Sequence, residues 1–131
     1  MKTNNFESSE QVICERIRKI YVQQLDHQLS RISCRIFDQV LVLILEGVIT
    51  PPEQLLNQNN HLQLVSQVRA ALDGIIQPKI QNLIEQTLNV TVTDFLCDTA
   101  IETSRTGAIV IFEIHSRRDS SKLSSNDWKQ N

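Results

Sequence analysis

RISCRIFDQVLVLILEGVITPPE, residues 31–53, decides the fold. In its first part Ile32, Cys34 and Ile36 alternate with Arg31, Ser33 and Arg35, the period of two that gives a strand one buried and one wet face. Asp38 and Gln39 form a tight turn. Residues 40–45 then run without a polar interruption, and their short length and β-branched content predict a central strand covered on both sides rather than a helix. Gly47 ends that strand. Thr50, Pro51, Pro52 and Glu53 open a helix: Thr50 is the cap, a proline takes the first helical position, where its missing N–H costs nothing, and Glu53 reaches back. The polar run 57–60 keeps this helix short.

Working outward, Ser8 is followed three residues later by Gln11, a capping-box pattern at a helix start. Ile13, Ile17, Ile20 and Tyr21 recur on one face, with Glu15, Arg16, Arg18 and Lys19 on the other, so a helix is predicted over about residues 9–26. Downstream, Leu62, Val65, Val68, Leu72, Ile75, Ile76, Ile80, Leu83 and Ile84 recur at three and four, the pattern of a long core-facing helix. Pro78 removes one of its backbone bonds, which predicts a kink or short break near residues 73–77. Extended patterns return in residues 90–99 and 107–115, with 102–106 as the connecting loop.

The order is therefore helix, strand, strand, short helix, helix, strand, strand. The same unit occurs twice, with Val40–Glu46 and residues 108–114 in corresponding places. An ancient duplication and a coincidence within a small menu of layouts both explain this. The economical fold is α+β: two α-β-β units giving a four-stranded, mainly antiparallel sheet with two long helices on one face. Residues 8–115 form the single domain, with 1–7 as a flexible N-terminus and 116–131 as a flexible polar tail.

Both faces of such a sheet are apolar at its centre. Val40, Val42 and Ile44 alternate with Leu41, Leu43 and Leu45, and Val110, Phe112 and Ile114 alternate with Ile109 and Ile111. A patch of that size is seldom left in water by a monomer, so a homodimer or larger homo-oligomer is expected. Leu41, Leu43, Leu45, Ile109 and Ile111 are the candidate interface residues. The alternative is that the short helix and the tail fold over the patch.

Composition narrows the classes of function. A chain of 131 residues that is 40% hydrophobic builds one ordinary core. Lys and Arg number 13 against 15 Asp and Glu, a formal charge of −2, which makes no electrostatic case for nucleic acid or anionic lipid. The longest apolar run, residues 40–45, is too short to cross a bilayer, and the polar N-terminus lacks the pattern of a signal peptide. Cys14, Cys34 and Cys97 are an odd number without a CxxC pair, which reads as buried free thiols in a reducing cytoplasm. Direct membrane insertion is not expected, and a membrane-protein or signalling-protein partner is.

Candidate chemistry is sparse. Cys97 beside Asp98, with His115 on the partner strand, has the residue types of a thiol nucleophile and base, but nothing in the pattern orients one against the other. His27, His61 and His115 lack the spacing that sets two ligands on one helix face, so no metal is expected. Asp94 and Asp98 share a strand face and could pair with Arg31 or Arg35 across the sheet. Arg31 and Arg35, beside Phe37, read as the wet face of a strand rather than as an RNA site. Gly47, Gly74 and Gly107 are isolated and form no phosphate loop. No cofactor is expected, and the chain reads as a non-enzyme, an activity centred on Cys97 being the alternative.

The segment VLVLILEGVITPPE, residues 40–53, resembles the one that marks the MpsC-like domains, a bacterial family of Na⁺-translocating membrane-potential-generating components. FLCDTAIETSRTGAIVIFEI, residues 95–114, is similar to that family's second hairpin. The likeness spans about residues 8–115, with two departures: residues 27–30 stand where members have a Gly-Pro turn, and Cys97 replaces a serine. The resemblance implies an accessory, non-catalytic role, in some members beside systems that move cations or inorganic carbon across a membrane. Glu46, Thr50, Asp98 and Thr99 match its motif positions. Two readings follow. One is an oligomeric cytoplasmic interaction or regulatory module. The other is a small-ligand or anion sensor whose pocket lies between helices and sheet near Arg35, Glu46, Asp98 and Thr99.

Overall fold

The computed structural model describes residues 2–115, with side chains from residue 7 onward. Helix α1 (Lys2–Leu25) leads into the hairpin β1 (Arg31–Phe37) and β2 (Val40–Glu46). A short helix α2 (Pro51–Gln58) and a long α3 (Leu62–Leu88) follow, and the hairpin β3 (Val90–Ala100) and β4 (Arg105–Ile114) closes the domain. The predicted tail, residues 116–131, lies outside the described residues.

The strands form one antiparallel sheet in the order β1-β2-β4-β3. The two hairpins therefore stand side by side, joined by their second strands, with α1 against β1, α3 against β3 and the two helices against each other. This places the repeated α-β-β unit about an approximate two-fold axis between β2 and β4, and it is the predicted α+β architecture.

Leu43 pairs with Ala108 and Leu41 with Val110. That register gathers Leu41, Leu43, Leu45, Ala108, Val110 and Phe112 on the helix-facing side, where all are buried against Ile13, Ile17, Tyr21, Ile76, Ile80 and Ile84. Each aliphatic or aromatic side chain fully removed from water there contributes about 1.5–3 kcal/mol.

The helix ends have local causes. Asp26 and Asn89 adopt left-handed backbone at φ 50 and φ 56, and their amides bond back to Val22 and Glu85 carbonyls, closing α1 and α3. Thr50 and Glu53 form the expected capping box on α2. Three boundaries differ from the sequence reading. First, α1 begins at Lys2 rather than near residue 9, because residues 2–8 contain no proline or glycine to stop helical dihedrals before the Ser8 pattern. Second, α3 runs unbroken through Pro78. The Gly74 carbonyl, which loses its donor to the proline, borders an open groove lined by Gln77, Pro78 and Phe95, where water can replace the bond. Third, Leu62 and Ile75 are exposed, and the buried row of α3 includes Arg69 instead.

Both sheet edges are blunted by the helices above them. The Ile36 amide of β1 donates to Glu10 of α1 at 2.8 Å, and the Val92 amide of β3 donates to Glu85 of α3 at 2.9 Å. A register shift between Val92 and Asp94 further interrupts β3. Capped and bulged edges resist pairing with another chain's strands.

At one end of the sheet three connections meet on Gly47, whose φ of 76 suits glycine. Its amide and that of Val48 donate to the Ser104 carbonyl at 2.8 and 3.1 Å, and the His27 ring bonds the Gly47 carbonyl at 2.6 Å. A Cβ on Gly47 stands 2.7 Å from Ser30 Oγ and 3.0 Å from the Ser30 backbone nitrogen, whereas a Cβ on Gly74 meets nothing within 4 Å. Gly47→Ala is therefore expected to lower stability by about 1–3 kcal/mol through strain. Gly74→Ala is expected to raise it by about 0.5–1 kcal/mol through the unfolded chain. Urea denaturation midpoints check both signs.

Candidate interaction face

The side of the sheet away from the helices is built from every second residue of the four strands. Across it the register sets Arg35, Val42, Ile109 and Leu96 in one row, and Phe37, Val40, Ile111 and Asp94 in the next. A third row is Ser33, Ile44, Gly107 and Asp98, and a fourth is Arg31, Glu46, Arg105 and Ala100. Phe37 is 52% exposed, Leu96 57% and Ile109 46%, while Val40, Val42, Ile44 and Ile111 are half-exposed at the centre. No described element covers this face.

The pleat corrects the expected interface. Leu41, Leu43 and Leu45 are 0–1% exposed within the single chain and belong to the core, so they cannot meet a partner. Ile109 and Ile111 lie on the opposite side, where their neighbours are Val40, Val42 and Ile44. Five apolar residues assigned to one surface thus divide between two, because the β2–β4 register decides which alternates share a side. Residues 40–45 are accordingly covered on one face by the helices and open on the other.

The residues proposed for a ligand pocket do not converge. Arg35 stands on the β1 edge, its side chain 82% exposed and 3.8 Å from Glu10. Asp98 stands on the β3 edge with its carboxylate accepting the Thr99 amide at 2.9 Å. Three strand spacings, about 14 Å, separate the two edges. Glu46 pairs with Arg105 at 3.6 Å, and the Thr99 hydroxyl bonds that of Thr106 at 2.7 Å. Arg35, Glu46 and Asp98 belong to the open side and Thr99 to the helix side, so no pocket between helices and sheet holds them together. The same strand order keeps Asp94 and Asp98 from pairing with Arg31 or Arg35 within one chain.

The thiols have separate surroundings. Cys97 lies on the helix side of β3 opposite Ala108, while His115 lies beyond the far end of β4 and bonds Thr91. About seven residues of strand, roughly 23 Å, divide them, so they form no thiol–imidazole pair. Burial, with Asp73 and Asp98 nearby, pushes the Cys97 thiol up to about 11. The Cys14 thiol donates to the Ile32 carbonyl at 3.9 Å. The neighbouring Cys34 thiol lowers Cys14, and Cys14 together with burial raises Cys34. Only Cys34 is fully buried; Cys14 and Cys97 are half-buried, and all three are free. Among the described residues no group of three His, Cys, Asp or Glu could hold a metal ion.

Sequence reasoning missed one polar cluster. Glu53, 1% exposed, does more than cap α2: its Oε2 stands 3.3 Å from Arg69 Nε of α3, which is also 3.7 Å from Asp73. Arg69 Nη1 donates to the Val48 carbonyl at 3.4 Å. The charges touch, yet Glu53 Oε2 and Arg69 Nε and Nη2 have no well-aligned hydrogen bond. A lone arginine in the apolar row of α3 was the available signal, since a guanidinium there needs an anion. The cluster ties α2 to α3.

The family described as Na⁺-translocating membrane potential-generating system (MpsC) matches residues 6–114. The chain belongs to the MpsC family. No curated protein and no solved structure matches it.

Two outcomes follow. Glu53→Gln is expected to cost about 1–3 kcal/mol, because it removes the more buried of the two carboxylates beside Arg69 and leaves only Asp73. Glu53→Gln combined with Arg69→Met should recover much of that loss, as urea titrations of the three proteins would show. In a Cys14→Ser, Cys34→Ala background, alkylation of Cys97 by iodoacetamide at pH 8 should run roughly 100-fold slower than that of free cysteine. Its rate should climb with pH towards about 11.

Proposed function

We propose that the chain is a non-catalytic interaction module that serves a Na⁺-translocating, membrane-potential-generating system from the cytoplasmic side. It acts by docking rather than by turning over a substrate. The family match supports the link to that system. No helix of the described residues is long and apolar enough to cross a membrane.

The observation that carries the reading is the unfilled side of the sheet. Val40, Val42, Ile44, Ile109 and Ile111 form a continuous apolar centre with no described helix over it, while the opposite side is buried against α1 and α3. Exposed apolar patches of this kind mark protein interfaces. In the working state the face is occupied by protein.

The test uses cells that carry the native transport system. Deletion of the chain should reduce the Na⁺-dependent membrane potential reported by a potential-sensitive dye, and the wild-type gene should restore it. Ile109→Lys, on the open side and away from the core, should fold with an unchanged melting curve and fail to restore it. An unchanged potential in the deletion strain, or full restoration by Ile109→Lys, overturns the reading.

A further inference from the structure

The open face is not only apolar. Its β1 edge carries Arg31 and Arg35, its β3 edge carries Asp94 and Asp98, and next to the midline Glu46 of β2 stands level with Arg105 of β4. The signs are therefore opposite on the two sides of the line between β2 and β4. A surface that is to bind itself through a two-fold axis needs this property, since each residue must meet the counterpart of its opposite position.

We propose that the occupant of this face is a second copy of the same chain, packed sheet on sheet about a two-fold axis parallel to the strands. The inference rests on the docking reading of the same face and names the partner. Two orientations bring the sheets face to face with strands aligned. An axis across the strands lays β1 over β1 and β3 over β3, opposing Arg31 and Arg35 to themselves and Asp94 and Asp98 to themselves. An axis along the strands lays β1 over β3 and β2 over β4. Arg35 of one copy then sits over the row of Leu96, between Asp94 and Asp98 of the other, and Arg31 sits beside Asp98. Val42 meets Ile109, Val40 meets Ile111, Glu46 meets Arg105, and Ile44 fills the space over Gly107, which has no side chain. Charge selects the second orientation, and aligned sheets keep it within about 30° of parallel.

The alternative of joining sheets at their edges is disfavoured by the same structure. Glu10 and Glu85 occupy amides of β1 and β3 that a new strand would need, and β3 is bulged. Four strands about 4.8 Å apart and rows of seven residues at about 3.3 Å give a face of roughly 19 by 23 Å. Two such faces bury on the order of 1,000 Å², the lower range for a specific interface, so a concentration-dependent dimer is expected.

Sedimentation of the purified full-length chain tests this. The wild type should be a dimer at tens of micromolar and dissociate on dilution, and added salt should weaken it because the edge charges are exposed. Ile109→Lys should weaken association at least tenfold, with an unchanged melting curve at a dilution where the wild type is monomeric. Arg31→Glu/Arg35→Glu, which makes both edges acidic, and Asp94→Arg/Asp98→Arg, which makes both basic, should each be monomeric alone. Mixed in equal amounts they should form a 1:1 heterodimer, since every edge then meets its opposite. A wild type that stays monomeric at 200 μM, a dimer indifferent to Ile109→Lys, or a mixture that fails to associate overturns the proposal. If the wild type is monomeric while Ile109→Lys still abolishes the membrane potential in cells, this inference falls and the docking function stands.

Discussion

The pairing of Leu43 with Ala108 and its neighbours along β2 and β4 is the constraint on which the rest of the structure depends. These two strands come from different hairpins, and their ladder is the joint that makes one sheet of two units. It aligns Leu41, Leu43 and Leu45 with Ala108, Val110 and Phe112 under the helices. The same ladder necessarily aligns Val40, Val42 and Ile44 with Ile109 and Ile111 on the other side. Because side chains alternate strictly across a strand, a slip of one residue would exchange the two sets. A filled core and an open apolar face are thus one event.

The helices convert that sheet into a protected layer on one side only. α1 and α3 fill the buried side, and each also sends a glutamate to the nearest edge strand, Glu10 to Ile36 and Glu85 to Val92. Unpaired edge amides invite strand addition, and satisfying them leaves the face as the surface available for association. The short α2 is held elsewhere, by the contact of Glu53 with Arg69, and does not fold over the patch. The repeat of unit and edge contact is what an approximate two-fold arrangement produces when both halves meet the same problem.

Much of the fold was legible in the residues. Alternation in residues 31–37 marked β1, the uninterrupted apolar run marked β2, and Thr50 with Glu53 marked the start of α2 through a bond pattern local enough to be read directly. The long period of three and four marked α3. What failed was local in a different way. Ser8 and Gln11 form a capping pattern that the chain does not use, because nothing before it forbids a helix. Pro78 does not break α3, because the freed Gly74 carbonyl faces a groove open to water. The candidate pocket dissolved for a topological reason, since Arg35 and Asp98 lie on strands that end up at opposite edges.

By itself the sequence determined the elements, their order, the α+β class and the excess of apolar residues on the central strands, since each follows from spacing within a few residues. Only the tertiary structure decided which apolar alternates are core and which are face. Strand order and register also decided that the arginines of β1 and the aspartates of β3 stand at opposite margins of one surface, and that Glu53 meets Arg69. The physical reason is that pairing between strands far apart in the chain depends on the fit of the whole layer, and no single segment encodes it.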